Sequence, residues 1–191
     1  MAARRVGSVQ SATRQLILEA TQALMVAQGY AAVSARRVAA QAGVKPALVQ
    51  YYFSSMDELL LETYRFGAAR VLERQQEALA AARPLHALWA LAVDPERTAL
   101  GIELMALANH RKEIGAEITR QATHNRKLQA EALARLLRDA PDFGPPEGVS
   151  VILAGIARAL VMEQGIGMDF GHQEARAVVE RWLALVEPEE A

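Results

Sequence analysis

The chain has 191 residues, 21 of them Lys or Arg and 22 Asp or Glu, for a net charge of -1, and 52% of it is apolar. That length allows one sizeable domain or a small one joined to a larger one, and that apolar content excludes a disordered chain. Cysteine is absent, which excludes a disulfide framework and a thiolate metal site and fits a reducing, cytoplasmic setting. No run approaches the ~18 uncharged apolar residues of a bilayer span. No membrane role is therefore expected, nor is a signal peptide, since no apolar run follows Arg4 and Arg5.

The charge is unevenly spread. Residues 1–53 carry Arg4, Arg5, Arg14, Arg36, Arg37 and Lys45 against Glu19 alone, a net +5; the remaining 15 basic and 21 acidic residues give -6. A basic head on an acidic body suggests a polyanion partner for the head.

Alanine, leucine, glutamate, arginine and glutamine dominate, all good helix formers, and no period-2 β-branched run interrupts them. The expected fold is all-α with about nine helices. The first spans 11–28, with Leu16, Ile17, Ala20, Leu24 and Met25 at helical spacing and Gly29 as its stop. The second, 35–42, is capped by Ser34 and ended by Gly43; the third is 46–52. A long fourth runs 56–82. Pro84 opens the fifth, to 92, and Pro95 the sixth, to 109. The seventh runs 112–139, followed by a Pro-Gly loop from Pro141 to Pro146. The eighth and ninth are 147–164 and 173–186, joined by a turn bearing Gly165, Gly167 and Gly171.

The chemistry concentrates between Val33 and Leu59. Two short helices meeting at a glycine must cross steeply, as in a helix-turn-helix. Ala39 is small where the two helices touch, and Gly43 sits where the turn favours positive φ. Val38, Val44 and Val49 supply a buried wedge, Pro46 opens the next helix, and Tyr52 and Phe53 close the head. Tyr51 and Tyr52 point about 100° apart on a helix, so Tyr51 is the outward one.

The run VAAQAGVKPALVQYYFSSMDEL, Val38 to Leu59, resembles the signature of the tetracycline-repressor (TetR) family. It has an Ala-x-x-Ala-Gly-Val core, a short recognition helix, a Tyr-x-Phe closure and Glu-Leu opening helix four. The resemblance covers residues 11–60 closely and the rest by helix order. It implies a helix-turn-helix head at 1–54 and a ligand-binding and dimerisation body at 55–191. It also implies a repressor released from a palindromic operator by a small molecule, and no enzyme. Two departures stand out: Gln50 where the family usually has tyrosine, and Met56 where a lysine usually starts helix four.

By matching positions, Ser34, Arg36, Arg37, Lys45 and Tyr51 are the expected DNA-backbone residues, and Ala47, Leu48 and Gln50 the expected base-edge residues. Arg4 and Arg5 could follow the adjacent minor groove. The family's pocket lies among helices four to seven. Its implied wall here includes Phe66, Trp89, Leu104, Met105, Leu107, His124, Leu128 and Met162, with Glu103, Asn109 or Glu163 as polar anchors. Aromatic and methionine residues suit an apolar or amphipathic effector. The last two helices, apolar on most sides, are the implied homodimer interface. His86, His110, His124 and His172 show no metal-ligand spacing, and no catalytic constellation or cofactor motif stands out. A helical ligand-binding module that does not bind DNA remains the competing reading.

Overall fold

The computed structural model of the chain describes residues 11–138 and 144–188. Among them are nine α-helices: α1 Ala12–Gln28, α2 Ala35–Ala42, α3 Pro46–Tyr52, α4 Met56–Leu79, α5 Pro84–Ala92, α6 Pro95–His110, α7 Lys112–Leu136, α8 Pro146–Gly165 and α9 His172–Val186. No strand occurs among the described residues. Helix α4 ends at Leu79, three residues before the expected 82, and a 3-10 turn at Tyr30–Ala32 follows α1. Periodicity marks helices longer than a turn; a three-residue turn has no period to read.

Packing divides the chain into two compact units, one formed by residues up to Ala69 with Leu100–Ile118, the other by Arg70–Ala99 with residues from Thr119. Residues 11–54 of the expected head fall within the first unit.

In the first unit, Ile17, Leu18, Leu24, Val38, Ala39, Val49, Phe53 and Leu59 form one core. They come from α1, α2, α3 and α4, so the helix-turn-helix and the start of α4 share one apolar centre. Polar ties lie around it. Arg14 pairs with Glu62, and its guanidinium lies 5.2 Å from the centre of the Phe53 ring. The start of α4 is a reciprocal cap: Ser55 Oγ accepts from the Glu58 N–H at 3.0 Å, while Glu58 Oε2 accepts from the Ser54 N–H at 2.6 Å. Ser55 and Glu58 stand at Ser-x-x-Glu spacing, the capping-box signal in the sequence.

A second cluster of the same unit gathers Met25, Leu60, Tyr64, Leu104, Leu107, Ile114 and Ile118. Burial raises the Tyr64 phenol above its ordinary pKa. The corner between α6 and α7 requires Gly115: a Cβ there would sit 2.8 Å from the Ala108 carbonyl oxygen, and a backbone atom cannot yield. Glu103 of α6 holds the end of α1, accepting from the Tyr30 N–H at 2.7 Å. Glu103→Ala is expected to lower stability by about 1–2 kcal/mol, since a partly buried donor loses its partner. Urea denaturation against the parent chain measures it, and an unchanged midpoint contradicts this role for Glu103.

In the second unit, Leu85, Trp89, Leu133, Ala157, Leu160, Val179 and Leu183 form the core. Helix α5 starts without a side-chain cap of its own. Glu187 supplies one from beyond α9, accepting from the N–H groups of Leu85 at 2.7 Å and His86 at 3.2 Å. A carboxylate there also suits the positive end of the helix. Arg97 is buried enough to lower its pKa despite the charge of Asp94, and its Nε donates to the Leu91 carbonyl at 2.7 Å.

Among the described residues α8 alone is long and apolar enough, by length and composition, to cross a membrane, with a mean hydropathy of 1.3. Glu147, Arg158 and Glu163 interrupt it, so it holds no uncharged run of the expected bilayer length. Ser150, Ala157, Leu160 and Val161 face the interior of the unit. Outward stand Val151, Ile152 and Met162, each more than half exposed.

Candidate nucleic-acid interface

The head is positioned by its glycine corner. Gly43 has φ 66° and ψ 29°, the left-handed conformation. There its N–H and that of Val44 reach back to the carbonyls of Ala40 and Ala39 at 3.3 and 2.9 Å. A Cβ at Gly43 would meet nothing within 4 Å, so the demand for glycine is conformational, not steric crowding by neighbours. Val38, Ala39 and Val49 are all buried across this corner, and Val44 packs at its edge. Pro46 then starts α3, where its missing N–H leaves no bond unmade.

With Val49 inward, the rest of α3 turns outward. Lys45, Ala47, Leu48, Gln50 and Tyr51 are all exposed. Leu48 and Tyr51 keep 37% and 43% of their surface open. Tyr52 is half-buried, its hydroxyl 2.8 Å from Ser11 Oγ. The Tyr51 ring stands edge-on to it at 84°, centroids 5.1 Å apart. Ser34 caps α2, its Oγ accepting from the Arg37 N–H at 3.4 Å. Arg36 and Arg37 are exposed on the first turn of α2, and Arg37 donates to Gln28 of α1. Seven of the eight expected DNA residues are thus open to solvent, and Ser34 is partly so. Met56 is packed against the head core and places no positive charge at the start of α4. Arg4 and Arg5 lie outside the described residues.

The residues expected to bind an effector are placed differently. Trp89 is buried in the core of the second unit, and Phe66 packs against the core of the head. Glu103 is occupied by Tyr30. Met105, Asn109, His124 and Met162 are exposed. Leu104 and Leu107 are core, and Glu163 pairs with His172 at 2.8 Å. None of these lines the cavity of about 170 Å³ in the second unit. Its apolar wall is Leu72 and Leu79 of α4, Leu88 of α5, and Leu128 and Ala132 of α7; Leu128 alone of the expected wall residues is there. Its polar wall is Gln75, Gln76, Gln129, Glu131 and Arg135. Helical periodicity reports which side faces inward, not where packing leaves space, so the sequence held no signal for this set. Among the described residues no cluster of His, Asp and Glu could hold a metal.

Residues 17–63 match the sequence model of the bacterial regulatory proteins of the tetR family. No curated protein sequence matches the chain. Solved structures do. A transcriptional regulator of Saccharomonospora viridis, solved with choline, has a TM-score of 0.76 at 19% identity, over 90% of this chain and 97% of that one. A TetR-family transcriptional regulator of a Rhodococcus species gives 0.73 at 19%, over 92% and 99%. A transcriptional regulator of Pseudomonas aeruginosa PAO1 gives 0.65 at 24%, over 90% of both chains. At these identities the likeness to the solved structures is one of fold. The match of residues 17–63 to the family's own sequence pattern makes the head a tetR-type helix-turn-helix, the kind borne by bacterial regulatory proteins, and the described helices share the fold of the solved regulators.

Proposed function

We propose that the chain is a cytoplasmic repressor that grips a palindromic operator as a homodimer and lets go when a small molecule enters its body. The observation that carries this reading is the solvent-facing set Lys45, Leu48, Gln50 and Tyr51 on a recognition helix fixed by Gly43. Residues 1–54 are the DNA-binding part and 55–191 the sensing and dimerising part. Ser34, Arg36, Arg37, Lys45 and Tyr51 hold phosphates. Ala47, Leu48 and Gln50 meet base edges, the apolar pair suiting thymine methyls.

One seven-residue helix reads few base pairs; two at a fixed separation read a palindrome with half-sites about one helical turn apart. The outward side of α8 supports a partner copy. Gly148, Ile152, Gly155, Ala159, Met162 and Ile166 recur every three or four residues, the spacing of a helix-packing seam. Beside them on α9, Trp182 and Leu185 are 42% and 62% exposed. A protein partner would cover this apolar surface. The double variant Ile152→Glu, Trp182→Glu is expected to run as a monomer in light scattering and to lose at least tenfold in DNA affinity. A variant that stays dimeric contradicts the seam.

The switch works through α4, a single helix whose first half belongs to the unit of the head and whose second half carries Leu72 and Leu79 of the cavity wall. A small molecule that prefers a shifted α4 weakens the match of the two heads to the groove. Hundredfold release needs about 2.7 kcal/mol of differential binding. Titration of labelled DNA from upstream of the chain's own gene, with a scrambled control, tests recognition; addition of small molecules to the complex tests release. The complex between choline and the Saccharomonospora viridis protein supports a small-molecule effector here.

A further inference from the structure

The cavity of the second unit defines a chemical class of occupant, an inference that rests on the effector reading above. We propose that it takes an uncharged molecule of about one ring's size bearing a single oxygen acceptor, and that the Gln129 amide reads that oxygen.

Size comes first. A volume of about 170 Å³ slightly exceeds the ~150 Å³ apolar cavity known to take benzene, so six to nine non-hydrogen atoms fit roughly. Leu72, Leu79, Leu88 and Leu128 make the wall apolar enough to favour a ring or short branched chain over water.

Polarity follows from a short chain of hydrogen bonds between α7 and α8. Arg126 Nη1 approaches Ser150 Oγ at 3.4 Å, and a guanidinium can only donate. The Ser150 hydroxyl therefore accepts there and gives its own proton onward to Gln129 Oε1, 2.9 Å away. Ser150 is 1% exposed, so this order is protected from water. With its carbonyl oxygen engaged, Gln129 has its amide –NH2 left to offer the cavity it lines. An –NH2 group seeks an acceptor: a ketone, ester, ether or hydroxyl oxygen. Net charge is not favoured, because Glu131 and Arg135 of the same wall cancel one another. A carboxylate entering there would lose hydration without a net counter-charge.

Acetophenone, ethylbenzene and benzoate share one ring and differ at one group, so calorimetric titration of the full chain with each separates the terms. Acetophenone is expected to bind saturably at one per chain. Ethylbenzene, which lacks the oxygen, should bind about tenfold more weakly, a single hydrogen bond's worth, and benzoate at least tenfold more weakly. Gln129→Leu should abolish the preference of acetophenone over ethylbenzene, and Leu128→Trp should fill the space and remove binding of both. Tighter binding of benzoate, no saturable acetophenone binding, or binding unaffected by Leu128→Trp each overturns the proposal. The same titrations with labelled upstream DNA present keep the two readings apart. Acetophenone that binds the cavity without changing DNA affinity overturns effector release and leaves the chemical class standing; release by molecules that ignore Gln129→Leu and Leu128→Trp does the reverse.

Discussion

Leu59→Ala is expected to cost about 3–4 kcal/mol of stability and to lower the thermal midpoint by roughly 6–16 °C for a chain of this size. Leu59 is fully buried and lies in the core that joins α1, α2, α3 and α4. Truncation removes its own transfer energy and leaves a cavity between helices that cannot close in, because Ile17, Leu18, Val38 and Phe53 are each held by their own helices. The cost falls on the part that must present α3 rigidly, so DNA affinity should fall with stability. Leu48→Ala, on the same head but 37% exposed, should shift stability by less than about 0.5 kcal/mol. Thermal and urea unfolding of the two variants side by side checks this. Equal losses would mean that the head is not built around Leu59.

The double variant Lys45→Ala, Tyr51→Ala should lose at least a hundredfold in DNA affinity, equivalent to about 2.7 kcal/mol, with its unfolding midpoint unchanged. Both side chains are exposed, so little packing is lost. Lys45 caps no backbone group with its side chain, and its charge sits at the entrance to α3. Of the two phosphate contacts removed per head only that of Lys45 is cationic, and its loss should also flatten the salt dependence by about two in slope per dimer. Anisotropy titrations at several salt concentrations read both quantities. A weakened complex with an unaltered salt slope would show that Lys45 does not meet a phosphate.

Much of the architecture was legible because helices announce themselves locally. Gly29, Gly43, Pro46, Pro84 and Pro95 stop or start helices at the residues expected, since each acts through its own backbone geometry. The helix-turn-helix was legible for a further reason: Ala39, Gly43, Val38 and Val49 are constrained together by one corner. The end of α4 was harder, because Ala80, Ala81 and Ala82 are good helix formers and the helix nonetheless stops at Leu79. The Glu187 cap on α5 joins residues a hundred positions apart, and no local pattern encodes it. The cavity is least legible of all. Met105 and His124 have the chemistry of a ligand wall and lie exposed, whereas Gln75, Gln76 and Gln129 have the composition of a solvated face and line the space. What decides between them is how neighbouring helices fail to fill a volume, a property of packing and not of any one segment.

Fluorescence anisotropy of DNA from upstream of the chain's own gene, followed by a genome-wide selection of bound fragments at low and physiological salt, tests DNA recognition most directly. Tight and selective binding to a palindromic fragment is expected, weakening with salt and lost in the Lys45→Ala, Tyr51→Ala variant. Failure to select any fragment even at low salt, or equal selection by that variant, would contradict a DNA-reading role for the exposed face of α3.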